Sequence, residues 1–201
     1  VAPVTTYITL ALLKTSLGIP VGDTVDDTLL ELARSTASRS VDKSCGGRRF
    51  WIDETTSART FRPARRVVWD RDGSLLMLDD IAEIGGLVVE VGTTGSWTAL
   101  TDYEPYPENA LVKGKPVTGL LRTAWQMGGF GFRVRVTAKW GWPAVPDEVQ
   151  TATLIQAGRL YKRKDSPDGI AGSAEWGPIR VSRVDPDVQK LIDDLVDPGI
   201  A

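Results

Sequence analysis

Between Thr9 and Leu17 the apolar residues Leu10, Leu13 and Leu17 recur at the spacing of one helix face, and Gly18 followed by Pro20 supplies a stop. A longer helix is predicted over about 24–45. Asp23 or Thr24 caps it, Asp26 and Asp27 sit at the positive end of its dipole, and Gly46 stands where a left-handed residue closes it. Its buried stripe reads Leu29, Ala33, Ala37 and Val41, with the small residues Ser40 and Ser44 beside it. The opposite face carries Glu31, Arg34, Ser38 and Asp42, either solvated or set against a neighbouring subunit.

From Arg48 to Trp140 the period changes to short β-branched and aromatic runs punctuated by Gly, Pro, Asp and Thr. Phe50-Trp51-Ile52, Arg59-Thr60-Phe61 and Val67-Val68-Trp69 read as strands, and Asp70-Arg71-Asp72-Gly73 as a turn. Leu87–Val91 and Ser96–Leu100 flank Gly92-Thr93-Thr94-Gly95 as a hairpin. Tyr103–Gly119, with three prolines and two glycines, reads as a long irregular excursion. The clearest strand is Arg133–Trp140, where Val134, Val136, Ala138 and Trp140 alternate with Arg133, Arg135, Thr137 and Lys139, giving one apolar and one basic face.

A third helix starts with Pro146 at its first position, carries Asp147 and Glu148 in its first turn and ends in Lys162, Arg163 and Lys164. Val149, Ala152, Thr153, Ala157, Leu160 and Tyr161 form its buried face. After a Gly-, Ser- and Pro-rich loop, Ile179-Arg180-Val181 reads as a short strand and Asp185-Pro186-Asp187 opens a final helix with the stripe Val188, Leu191, Ile192 and Leu195. Burying each of those four side chains contributes about 1.5–3 kcal/mol, while an isolated helix of about ten residues is marginal in water. The helix therefore docks, either on the chain's own core or on an adjacent subunit. The fold class is α+β: a helical core of about four helices with a strand-rich insertion between the second and third. Residues 1–47, 48–140 and 141–201 are the three parts of one composite domain.

Composition narrows the chemistry. At 201 residues, 42% hydrophobic and 25% charged, the chain can bury one sizeable core, and its net charge of -2 does not describe a protein that coats nucleic acid. There is no histidine, which removes the commonest metal ligand and the commonest general base at neutral pH. Cys45, the single cysteine, allows no internal disulfide and reads as a small buried apolar residue beside a helix end. The N-terminal apolar run lacks a leading basic region and a small-residue cleavage site, so it reads as a short helix; no stretch reaches the roughly 20 apolar residues of a membrane span.

Candidate catalytic constellations fail one by one. Asp79-Asp80 and Asp193-Asp194 are adjacent pairs whose side chains point apart, and both read as solvated surface. No glutamate is followed two positions later by lysine, as a metal-dependent nuclease of that type requires. Gly128-Gly129-Phe130-Gly131 precedes a strand, not a helix N-terminus, and Gly114-Lys115 runs into Pro116 without the upstream glycine of a phosphate loop. No catalytic, cofactor-binding or metal-binding residue is assigned. Lys162, Arg163 and Lys164, with Arg133, Arg135 and Lys139, either contact phosphate or compensate a helix dipole and remain solvated. The seven tryptophans divide between core and contact anchors, with Trp176 in its Gly-rich loop a contact candidate.

Several motifs in series suggest more. Leu17-Gly18-Ile19, then Val41-Asp42-Lys43-Ser44-Cys45-Gly46 before Arg49-Phe50, are followed by Lys139-Trp140-Gly141-Trp142-Pro143. Tyr161-Lys162-Arg163-Lys164-Asp165-Ser166-Pro167, Glu175-Trp176-Gly177-Pro178 and Asp185-Pro186-Asp187 complete the series. The chain resembles the head-to-tail adaptor (head completion, connector) proteins of tailed phages infecting actinobacteria, over most of its length and most specifically in the final segment. The resemblance implies a non-enzymatic virion protein of the neck, assembled in the host cytoplasm as a homo-oligomer of twelve subunits beneath the portal protein. A stopper or tail-completion protein would lie on the other side, and DNA would pass through the ring. It implies portal or inter-subunit contacts at Trp176, Ile179, Arg180, Val181, Arg183, Val188, Leu191, Ile192 and Leu195, and transient, non-specific DNA contact at Lys162, Arg163, Lys164, Arg133 and Arg135. No membrane or cofactor is implied. The competing reading is a nucleic-acid-binding module that uses the basic strand face.

Overall fold

Helix α1 (Leu10–Leu17) begins where the Thr9 side chain accepts the Leu12 N–H and ends at Gly18, whose left-handed backbone returns its N–H to the last turn. A computed structural model describes residues 6–125, 129, 131–165, 170–171, 179–180 and 185–196. Among these residues lie four α-helices and a seven-stranded antiparallel sheet that falls between the second and third helices. The chain divides into two compact units, a helical one from 1–48 with 145–197 and a sheet unit from 49–144.

In the helical unit, α2 (Asp27–Ser44) packs chiefly on α3 (Asp147–Lys162), α3 also holds α4 (Pro186–Ile192), and α1 touches both long helices. Ile8, Leu13, Leu30, Ala37 and Ala157 form the buried centre, with Leu10, Leu17, Ile19, Leu154, Leu160 and Tyr161 packed around it. Small residues at Ala37 and Ala157 let the helix axes approach. Of the predicted third-helix face, Val149, Ala152, Thr153 and Ala157 are buried, while Leu160 and Tyr161 are half-buried.

Lys14 sets where α2 starts. Only 2% exposed, it donates from Nζ to the carbonyls of Val21 (3.2 Å) and Asp23 (2.7 Å) and pairs with the Asp27 carboxylate. The chain from Pro20 to Asp26 wraps this ammonium group, so the helix begins at Asp27 and not near 24. The Asp23 carboxylate accepts the Val25 N–H within the loop, and neither Asp23 nor Thr24 is the cap. Pro146, expected as the first helical residue, likewise stands just outside α3 in an extended conformation, so this helix starts one residue later, at Asp147.

The α2 stripe is also corrected. Leu30, not Leu29, is its first buried residue; Leu29 is 46% exposed. Ser38 and Asp42, expected on the outer face, are buried polar groups because Tyr7 covers them: its N–H donates to Ser38 Oγ (3.3 Å) and its hydroxyl donates to Asp42 Oδ1. The final helix opens as expected, with Asp185 Oδ1 accepting the Asp187 N–H (2.9 Å).

The sheet unit turns on one strand. In its sheet, β1 spans Ser57–Phe61, β2 Val67–Asp70, β3 Gly73–Thr93, β4 Ser96–Leu100, β5 Glu104–Tyr106, β6 Val117–Arg122 and β7 Arg133–Trp140. The 21 residues of β3 pair with β2 and β6 along the first half and with β4 and β7 along the second. The register shifts between Met77 and Ile81, and again between Ile81 and Val88. Ile81 itself pairs both Val117 of β6 and Trp140 of β7. Leu76, Leu78, Ile81 and Val89 of β3 join Leu120, Val134, Val136, Phe61 and Trp125 in one buried cluster.

The predicted turn closes at Asp70↔Gly73 and the predicted hairpin at Thr93↔Ser96, and β7 alternates half-buried and buried along its length. Two expectations fail. Phe50–Ile52 is not a strand: isolated bonds run between this stretch and the end of β7, from Asp53 N–H to Trp140 O (2.8 Å) and from Trp142 N–H to Trp51 O (3.4 Å). The excursion at 103–119 is ordered as β5, a short 3-10 turn at Leu111–Lys113 and the start of β6, since β6 offers a free edge on which Glu104–Tyr106 pairs.

Two substitutions test this packing. Gly141 has φ +108, and a Cβ there would lie 1.8 Å from the Trp51 carbonyl oxygen. Gly141→Ala is expected to lower unfolding free energy by more than about 2 kcal/mol, while Gly129→Ala, which meets nothing within 4 Å, leaves it nearly unchanged. Tyr7→Phe strips the buried Asp42 of a charge-assisted hydrogen bond and is expected to cost about 1.5–3 kcal/mol, read from urea midpoints.

Candidate functional site

The basic face predicted for β7 is largely neutralised by the register of the sheet. Glu90 stands opposite Arg135, whose Nε and Nη2 donate to its two carboxylate oxygens at 2.6 and 2.7 Å. The Arg135 guanidinium also lies 4.5 Å from the Trp97 ring centre. Hydrogen bonding from Arg135 holds the Glu90 carboxyl below its ordinary range, and the same bond raises the arginine. Lys139 pairs with Glu83 across the strands at 2.9 Å, and Arg133 donates to the Phe132 carbonyl at 2.7 Å.

At the end of α3 the three basic residues part company. Lys162 and Arg163 are exposed, with their charges where the helix dipole favours them. Lys164 instead donates to Asp26 and to the Tyr161 hydroxyl (2.8 Å), beneath which its ammonium group sits 4.3 Å from the ring centre. The Lys164 hydrogen bond, followed by that of Tyr161, lowers the Asp26 pKa, and Lys164 is correspondingly raised.

Of the C-terminal candidates, Trp176, Val181 and Arg183 lie outside the described residues. Ile179 and Arg180 form β9, paired antiparallel with β8 (Ile170–Ala171). Val188 and Ile192 are buried within the helical unit, with Leu191 and Leu195 half-buried. The segment is fastened by Arg159 to Asp185 (2.8 Å) and by Arg48 Nη1 donating to the Leu195 carbonyl (3.1 Å).

The carboxylate pair expected on the surface is half-buried and bonded. Asp79 receives Arg59 (2.9 Å) and Arg66 (3.3 Å), while Asp80 accepts the Trp142 indole N–H (2.9 Å). Asp193 and Asp194 are exposed, and Asp193 accepts from Gln189. No group of three or more metal-ligating side chains is assembled among the described residues. Burial, reinforced by Asp42, pushes the Cys45 thiol up to about 11, which suits the small apolar residue expected there.

Tryptophans divide by burial: Trp125, Trp140 and Trp142 are core, with indole donors accepted by Leu120 O, Ser57 O and Asp80, whereas Trp69 on the edge strand β2 is 70% exposed. A basic cluster outside the predicted sites is formed on the sheet unit. Arg59, Arg62, Arg65 and Arg66, four arginines within eight residues, line an open cleft of about 630 Å³ with Thr60, Phe61 and Asp79. Their density in a stretch free of acidic residues from Thr55 to Trp69 was the available signal.

No family model matches the chain, and no curated protein matches it. Among solved structures, its fold is similar to that of a chain in the neck of an empty gene transfer agent particle, computed with C6 symmetry. The TM-score is 0.58 at 18% identity, covering 100% of this chain and 96% of that one. It is also similar to a chain in the virion of a native gene transfer agent particle, with TM-score 0.52, 18% identity and coverage of 91% and 95%. The fold is therefore one used in such particles, shared nearly end to end.

Two outcomes follow from the charges and the thiol. Asp26, Glu90 and Asp102 all have lowered folded-state pKa values, so their stabilisation is complete above the unfolded values near 4 and is lost as pH falls through the folded ones. Glu90→Gln should flatten the acid limb of a plot of urea midpoint against pH between about 2 and 5. Cys45, only 0% exposed, should resist iodoacetamide at pH 8 in the native protein and react on unfolding in urea.

Proposed function

We propose that this protein is a structural component of a virion neck: a head-to-tail adaptor that assembles as a ring between a portal protein and a stopper or tail-completion protein, leaving a conduit for DNA. The observation that carries the reading is the near end-to-end likeness to a neck chain, this chain matched over 100% of its length and the neck chain over 96%. The motif series from Trp140 to Asp187 supports it independently. A twelve-subunit ring contains a sixfold axis, so it is compatible with the C6 symmetry applied to that neck.

Geometry, not chemistry, performs this function. A closed ring of identical heterologous contacts offers each neighbouring ring a repeated surface and spreads a small energy per subunit over many copies. Trp176, Ile179, Arg180, Val181 and Arg183 are assigned to the portal side. Lys162 and Arg163, exposed at the α3 end and without a carboxylate partner among the described residues, supply transient contact with passing DNA. A nucleic-acid-binding module built on β7 is the weaker reading, because Glu90 and Glu83 occupy Arg135 and Lys139.

Mass photometry of the purified chain, alone and with its portal, tests the reading. The expected result is a 21.8 kDa monomer alone and a portal-bound species heavier by about 260 kDa, twelve copies of that mass. A monomer that ignores the portal would refute it. Trp176→Ala should weaken portal binding by about tenfold or more, the cost of an aromatic anchor, with an unchanged thermal midpoint.

A further inference from the structure

The arginine cleft carries more positive charge than its own surroundings compensate. Arg59 and Arg66 share Asp79, at 2.9 and 3.3 Å, and Arg59 also reaches Asp53 at 3.6 Å. The Arg59 guanidinium sits over the Trp140 ring, 4.4 Å from its centre, and that of Arg66 over Phe61 at 5.0 Å. These two are held in place by carboxylate and ring. Arg62 and Arg65 are exposed, and no carboxylate among the described residues is paired with either.

Pro63 begins the short 3-10 turn at Pro63–Arg65 and is itself buried, so Arg62 and Arg65 project from a fixed backbone. The remaining lining adds Thr60 and Phe61, which is only 4% exposed. The cleft thus offers guanidinium forks, and its aromatic lining residue, Phe61, is too deeply buried to anchor a protein partner. Fork donors match phosphate oxygens bidentately, and contacts to phosphate need no base-reading group.

We propose that this cleft is a seat for the phosphate backbone of duplex DNA, with Arg62 and Arg65 neutralising two phosphates and Arg59 and Arg66 shaping the wall behind them. The choice of polymer rests on the conduit reading above; the excess charge does not. Binding by one copy is weak and independent of sequence, and a ring multiplies it.

The test is fluorescence anisotropy of a labelled 20-bp duplex titrated with the full chain between 50 and 200 mM salt. Replacing both free arginines, R62A/R65A, should lower the slope of log affinity against log salt by about 1.8, at about 0.9 per phosphate. The wild-type advantage should then shrink about twelvefold across that range. R62K/R65K should keep the slope, and K113A/K115A, which removes two exposed charges elsewhere on the same unit, should leave it unchanged. An unaltered slope in R62A/R65A, or an equal fall in K113A/K115A, overturns the proposal. The same variants go into the portal assay. Normal assembly with weakened DNA binding supports the seat. Lost assembly with unchanged DNA binding means that an acidic protein surface fills the cleft, and overturns it. Absence of DNA binding by the wild type overturns the seat alone, since ring formation is scored separately.

Discussion

Everything in the sheet unit depends on β3 having to bend. At about 3.3 Å per residue a straight strand of this length would extend close to 70 Å, several times the radius of gyration of about 13 Å expected of a 100-residue unit. The register shifts on either side of Ile81 absorb this excess. Beyond them the strand changes partners, from β6 to β7, and both halves contribute to one buried cluster. One continuous segment therefore does the work of two, and Ile81, 0% exposed and paired to both sides, is the point at which the halves are joined.

What could be read beforehand was whatever short-range chemistry decides. The alternation of β7, the Asp-Gly turn before β3, the Gly-Thr-Thr-Gly turn after it and the Asp185 cap all appear where local pattern puts them. The errors come from long-range partners. Leu29 and Leu30 are equally apolar neighbours, and only the docking of Leu13 and Ala157 selects the second. The start of α2 is delayed by Lys14, which sits on a different helix. The continuity of β3 was hidden by Asp79-Asp80 and Gly85-Gly86, which interrupt its apolar alternation.

Charge was the least legible property, for a related reason. The strand face of Arg133, Arg135 and Lys139 reads as a basic stripe until the register sets Glu90 and Glu83 against it. The Arg59–Arg66 run reads as unremarkable until the fold gathers it around one aspartate. Counting charges along a chain locates them without saying which are spent, and across a sheet that is fixed by pairing partners some 45 residues apart, as Glu90 and Arg135 are.

The helical unit has its own topological consequence, because its residues come from both sides of the sheet unit. During synthesis α1 and α2 leave the ribosome well before α3 exists. At roughly 5–20 residues per second, residues 49–144 interpose about 5–20 s in which Leu30, Ala37 and Leu13 have no Ala157 to close over them. The sheet unit, whose residues are consecutive, can be complete by then. Its folding draws residues 49 and 144 into one compact body, shortening the tether that α3 must cross to reach α2 and reducing the loop-closure entropy of that step. The insertion thereby serves as a clamp on the nascent chain, closing the helical unit from the side of its longest gap.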